Sequence, residues 1–256
     1  MSKVKELKLD KNGHILNGWI PQEKDARDFS YLQIAIAKVA AAKSDLRPGC
    51  SPIENQSNLG ACVYNAGIGA LEFLEIKNKE KFVDKSRLFA YYCAREDTGH
   101  VNEDTGDTIR HSMKILAKFG TCDEAYWPYV ISKFAEKPPK VCYDDAAKHV
   151  ITSYYAISGL DGIRQCLTDG FPVDFGTYLF PQFQLVGPDG KVMMPFCWKR
   201  PIGGHAMLIV GHDDDTEYLT TRNSWGTGWG DKGYCYIPYK YVGKYSSDFW
   251  TIRQEK

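Results

Sequence analysis

No run of about 18 apolar residues occurs in the 256-residue chain, so no membrane-spanning helix and no membrane partner are expected. The most apolar stretch, Ile34 to Ala42, is short, Ala-rich and broken by Lys38. The first residues carry recurring lysines and no apolar core of about 7–15 residues follows, so no secretory signal is expected. That leaves a cytoplasmic protein, or one released or packaged by a non-classical route. Excess charge is also missing: 32 basic and 32 acidic residues cancel to +0. Without a basic face, nucleic acid is not an expected partner. No Cys-x-x-Cys pair occurs, which removes the usual zinc knuckle. Internal repeats and low-complexity tracts are absent as well.

What is present is an ordinary globular composition, 43% apolar and 25% charged, in a chain long enough for one large domain or two small lobes. There are eight cysteines. If one is a nucleophile, the remaining seven cannot all pair, and they are read as mostly free, buried thiols.

Residues 1–43 read as an N-terminal extension, with a short helix expected over 32–42. The body, 44–256, divides into a helical part at about 50–160 and a strand-rich part at about 161–256. Cys62 to Lys77 carries Val63, Ala66, Ile68, Ala70, Leu71, Leu74 and Ile76, the pattern of a largely buried helix, and Gly60 suits a tight turn into it. Residues 110–119 repeat an amphipathic pattern before Gly120, and 161–169 before Gly170. Residues 171–178, 206–211, 218–223 and 233–238 read as strands. The expected class is α+β with two lobes.

Three segments carry chemistry: Gln56 to Cys62, Gly203-Gly204-His205-Ala206-Met207, and Arg222-Asn223-Ser224-Trp225-Gly226-Thr227-Gly228-Trp229-Gly230. A thiol attacks as its thiolate, and Cys62 sits where a helix dipole favours an anion, by about 0.3–1 kcal/mol. An imidazolium from His205 would stabilise it further and later protonate a leaving amine. The Asn223 side-chain carbonyl is the candidate acceptor for the other ring N–H. Gln56 is the candidate donor to an oxyanion, beside the Cys62 N–H.

These segments resemble the papain family of cysteine peptidases, closest in pattern to its bacterial and viral branch. The order Gln, Cys, His, Asn, the step from Gln56 to Cys62 and the string Asn223 to Gly230 carry the resemblance, which runs from about Asp45 to the C-terminus. It implies a papain-like two-lobe fold, a helical lobe bearing Cys62 and an antiparallel β-rich lobe bearing His205 and Asn223. It also implies a cysteine endopeptidase that hydrolyses peptide bonds through a thioester on Cys62. Catalytic roles pass to Cys62, His205, Asn223 and Gln56, and Trp225 would shield the Asn–His hydrogen bond from water. Val63 stands where many relatives have tryptophan. Asn58-Leu59-Gly60 replaces a Cys-Gly pair common upstream of the nucleophile, so the neighbouring disulfide is expected to be absent.

Other readings of single residues are blander. His205 and His212 are seven residues apart on an expected strand, hence on opposite faces, and no metal or organic cofactor is expected. Asp213-Asp214-Asp215 reads as a solvated turn. Gly204, Trp225, Thr108, Ile109 and Ser247 are candidates for substrate contact, Thr108 and Ile109 for the pocket reading the second residue before the scissile bond. The expected partner is a peptide or protein substrate, acting on a monomer, with self-inhibition by residues 1–43 as one reading of the extension. An exopeptidase or acyl transferase with the same set, and a non-catalytic papain-like binding protein, are the alternatives.

Overall fold

The computed structural model describes residues 8–10, 12–36, 39–196 and 198–254. The first long element is helix α1, Cys62–Lys77. Every residue from Cys62 to Glu75 is buried, as its nearly all-round apolar surface requires. Its two carboxylates survive burial because they are paired. Glu72 takes Arg87 at 2.7 Å and the Ser51 hydroxyl at 2.6 Å, and Glu75 takes His149 at 2.8 Å.

Helices α2 (Arg87–Asp97) and α3 (Ile109–Lys118) pack beside it. Each is started by a side-chain cap: Ser86 accepts from Phe89 N and Thr108 from His111 N, both at 3.1 Å. Gly120, at φ +67°, follows the end of α3. A short helix α4 (Lys140–Ala146) completes this half. Leu71, Leu88, Phe89, Met113 and Leu116 form its core.

The second half is an antiparallel sheet. Its strands are β1 (Lys43–Asp45), β2 (Ser153–Ile157), β3 (Val173–Leu179), β4 (Gly203–Asp213), β5 (Tyr218–Arg222), β6 (Tyr234–Pro238) and β7 (Ser246–Arg253). The order is β2-β7-β3-β4-β5-β6, with β1 also paired to β4. Helices α5 (Gly159–Thr168) and α6 (Tyr239–Tyr245) cover it. A separate core of Ile163, Phe175, Met207, Ile209, Leu219 and Ile237 fills this half. Strand β4 divides the two cores: Ala206, Leu208 and Val210 face α1, while Met207 and Ile209 face away, the period of two expected of a pleated strand.

The two-lobe α+β architecture follows the sequence reading, with three differences. No α-helix forms among the described residues of 32–42. A 3-10 turn at Tyr31–Gln33 is followed by chain whose donors go elsewhere, Ile36 N to Asp169 and Ala41 N to Thr168. Backbone bonds to the end of α5 thus outcompete helix propensity. Strand β2 lies inside the stretch read as helical, pairing with the C-terminal β7. Helices α2, α4 and α6 and strands β1 and β7 were not anticipated at all. The Asp213–Asp215 segment is a turn, with Lys43 at 2.7 Å from Asp213, and Arg164 and Tyr239 on Asp214. All seven described cysteines are free thiols, six of them buried.

Candidate active site

Cys62 is the first residue of α1, where no side chain caps the helix. Ala206 N, on β4, donates to Cys62 Sγ at 3.5 Å, so the nucleophile candidate and the strand bearing His205 are in contact. His205 donates from Nε2 to Asn223 Oδ1 at 2.7 Å. Ser224 N donates to the same oxygen at 2.8 Å and so fixes the amide. Asn223 follows the last residue of β5, next to β4 in the sheet, which is why residues 18 apart in sequence meet. Trp225 lies against the imidazole with ring centroids 4.9 Å apart.

Gln56 is buried and tied to the same loop. Its Oε1 accepts from the Ser224 hydroxyl at 2.5 Å and its Nε2 donates to Leu59 O at 3.0 Å. The structure thus gathers Gln56, Cys62, His205 and Asn223 between the lobes.

The N-terminal arm runs through this cleft. A Cβ added to Gly18 would stand 2.8 Å from Cys62 Sγ and 2.9 Å from Gly60 O, so only glycine lets the chain pass this close. Gly18 O accepts from Asp107 N at 3.0 Å, and Ile20 N donates to Asp107 O at 2.9 Å. Trp19 N donates to Gly204 O at 3.2 Å. On the other side of Cys62, His14 stacks on Trp225 with centroids 4.9 Å apart and planes 7° apart. Ile15, Leu16 and Trp19 are buried.

This cover sets the electrostatics. Burial pushes the Cys62 thiol up to about 12, although the Ala206 N–H acts against it. Burial pulls the His205 imidazole down to about 4, although the Asn223 hydrogen bond favours its charged form. With the arm in place, both groups are neutral at pH 7. Among the described residues His205 Nδ1 has no hydrogen-bond partner.

The sequence profile described as "Papain family cysteine protease" matches residues 40–247. The chain belongs to the papain family of cysteine proteases. An uncharacterized peptidase C1-like protein of Acanthamoeba polyphaga mimivirus is 38% identical over 215 residues, covering 78% of this chain and 69% of that protein. Peptidase 1 of Euroglyphus maynei is 28% identical over 194 residues, and that match spans 73% of this chain and 57% of the mite protein. Among solved structures, xylellain, a cysteine protease from Xylella fastidiosa, superposes with a TM-score of 0.87 at 34% identity, covering 97% of this chain and 98% of that one.

The weaker substrate-contact candidates separate. Gly204 lies against the Trp19 ring, where a Cβ would stand 2.9 Å from Cε3. Ser247 pairs with Gly176 across β3 and β7, beside the same ring. Thr108 is spent capping α3, and Ile109 is fully buried in the helical core. Neighbouring Asp107 is the residue whose backbone meets the arm. His14, Gly18, Trp19, Asp104 and Asp248 were not singled out from sequence. The one signal available was Trp19 itself, an isolated large aromatic in a polar segment.

Proposed function

We propose that the chain is a cysteine endopeptidase whose N-terminal arm holds it closed. Cys62 is the nucleophile, His205 the base and acid, Asn223 the orienter and Gln56 an oxyanion donor. The observation that carries this reading is the passage of Gly18 over the sulfur of Cys62, within the Cys–His–Asn set. The arm continues on both sides of the sulfur, His14 on Trp225 and Trp19 on Gly204. A cleft that takes a continuous chain past its nucleophile suits cleavage within a chain rather than at an end.

The arm is a poor substrate for a geometric reason. The Gly18 carbonyl is already bonded to Asp107 N and so is not offered to Gln56. Displacing the arm readmits water, which relieves the burial that keeps thiol and imidazole neutral. A thiolate–imidazolium pair then forms, with His205 Nδ1 the nitrogen free to take the thiol proton. Attack on a substrate carbonyl gives a tetrahedral oxyanion. It receives the Cys62 N–H and the second amide proton of Gln56, the first being held by Leu59 O. His205 protonates the leaving amine, and water hydrolyses the thioester.

The test compares cleavage of an unfolded protein by the native chain, by Gly18→Val and by Cys62→Ala. The valine side chain cannot fit beside Sγ and dislodges the arm. Faster cleavage by Gly18→Val and none by Cys62→Ala is expected. Equal rates for Gly18→Val and the native chain, both well-folded, would remove the arm from the account.

A further inference from the structure

We infer that the loop between β3 and β4 is a docking surface for an anionic lipid membrane, its apolar side chains entering the lipid and its cations meeting phosphate headgroups. Residues 180–202 turn a concentrated set of apolar side chains to water. Trp198 is 72% exposed, Leu185 66% and Phe196 57%, with Met193 and Met194 exposed beside them. Phe196 and Trp198 stack on each other, centroids 5.3 Å and planes 9° apart, and both stay exposed. A single exposed apolar residue is ordinary, but a group of this size within one loop marks an interaction site.

The exposure is built into the fold. Phe180, Phe183 and Val192 are buried in the core of the β-rich half and anchor the loop from within. Val192 N donates to Tyr236 O at 3.0 Å, Tyr236 N to Gly190 O at 2.8 Å, and Ile202 N to Leu179 O at 2.7 Å. Between these pins the remaining apolar side chains have no core to enter. The two ends of the loop return to one place. Gln184, next to Leu185, and Arg200, two residues after Trp198, line the same shallow depression. Lys8 and Leu9 of the N-terminal arm line it too, and Leu9 is exposed. The loop and the start of the arm thus present one surface.

That surface is positive although the whole chain is neutral. Lys191, Lys199 and Arg200 are exposed, and Asp189 is the one acid between residues 180 and 202. Lys8 adds a fourth exposed cation, and no acidic residue lines the depression between Lys8 and Arg200. Acids on the adjoining segments are engaged, Asp10 with His14 at 3.1 Å and Asp231 with the Tyr236 hydroxyl at 2.5 Å. A net charge of zero argued against an anionic membrane, and the separation of charge within the chain reverses that for this face. Exposed aromatic and aliphatic side chains flanked by Lys and Arg suit the boundary between headgroups and acyl chains. A second copy is a poor occupant. Two-fold pairing would set Lys191, Lys199 and Arg200 against the same residues of the other copy, with one acid a side to offset them. The loop leads directly into β4, so docking holds His205 and the cleft close to the lipid.

Sedimentation of the full chain with vesicles tests this. One set is phosphatidylcholine, the other phosphatidylcholine with about 30% phosphatidylserine. Affinity for the anionic set is expected to exceed that for the neutral set by about tenfold or more, and to fall as salt is raised to about 0.5 M. Lys199→Glu with Arg200→Glu, and Phe196→Ser with Trp198→Ser, are each expected to weaken it by about tenfold or more. All four side chains are exposed, so thermal unfolding should not change. Tryptophan quenching by brominated acyl chains is expected for the native chain and lost in Trp198→Phe, which still sediments. No binding to either set, equal binding to both, or binding that both double variants keep would overturn the inference. Self-association abolished by Phe196→Ser with Trp198→Ser would assign the face to a second copy and overturn it too. Binding of polyglutamate but of no vesicle would do the same, in favour of an acidic protein.

Discussion

The carboxylate of Asp104 accepts the backbone N–H of Gly60 through both oxygens, at 2.9 and 3.1 Å, two residues before Cys62. Tyr91 donates its hydroxyl to the same carboxylate and accepts Gly106 N at 3.0 Å. The chain Gly60–Asp104–Tyr91–Gly106 therefore joins the loop before Cys62 to the wall that touches Gly18 O. Asp104→Ala is expected to cost about 1–3 kcal/mol by stranding a buried N–H. Thermal unfolding checks this, and an unchanged Tm would show that the tie is not structural.

Gly69 gives a sharper test of packing. In an exposed helix Gly→Ala stabilises by about 1 kcal/mol. Here the added methyl would stand 2.1 Å from the Arg222 guanidinium, which is buried and bonded to Ser51 Oγ at 3.1 Å. Gly69→Ala is therefore expected to destabilise, by about 1–3 kcal/mol. Arg222 directly precedes Asn223, so activity should fall with stability. Denaturant midpoints measure the sign.

Asn223 holds His205 by one 2.7 Å hydrogen bond. Asn223→Ala should lower kcat by about 10–100-fold with little change in KM, the size of one lost charge-assisted bond. A change confined to KM would move Asn223 out of the catalytic set.

The pH dependence of thiol reactivity follows from burial. With the arm seated, the thiol is held up to about 12 and the imidazole down to about 4. A raised thiol pKa keeps the proton on sulfur below that value, so iodoacetamide labelling of the native chain should be slow from about pH 6 to 9, rising with pH without levelling off. The lowered imidazole means the closed state binds fewer protons. Considering His205 alone, acidification from about pH 6.5 toward 4 then favours arm opening, and above about 6.5 that contribution to closure is fully present. Gly18→Val should label faster throughout. A native profile with the midpoint of a free thiol, near pH 8.5, would contradict the closed description.

Much of the site was legible because its residues lie in short strings with local chemistry. Cys62 at a helix start and Asn223-Ser224-Trp225 after a strand can be read without knowing what packs on them. The buried helix at Cys62–Lys77 and the strands β3 to β6 were legible for the same reason, since their apolar patterns repeat within a few residues. What was hidden depends on contacts far apart in sequence. Strand β7 alternates weakly and is fixed by pairing with β2 and β3. The 32–42 segment has helix-forming residues, yet its backbone bonds go to α5. Trp19 and Asp248 are 229 positions apart, and neither carries a local sign of the other.

Cys62 is proposed as the nucleophile of a thiol peptidase covered by its own arm. Treating the full chain and Gly18→Val with an epoxide-type thiol-peptidase inhibitor, then weighing the intact protein and mapping the adduct, tests it most directly. One adduct is expected, on Cys62, forming faster in Gly18→Val. No adduct in either chain, or an adduct on another cysteine, would contradict it.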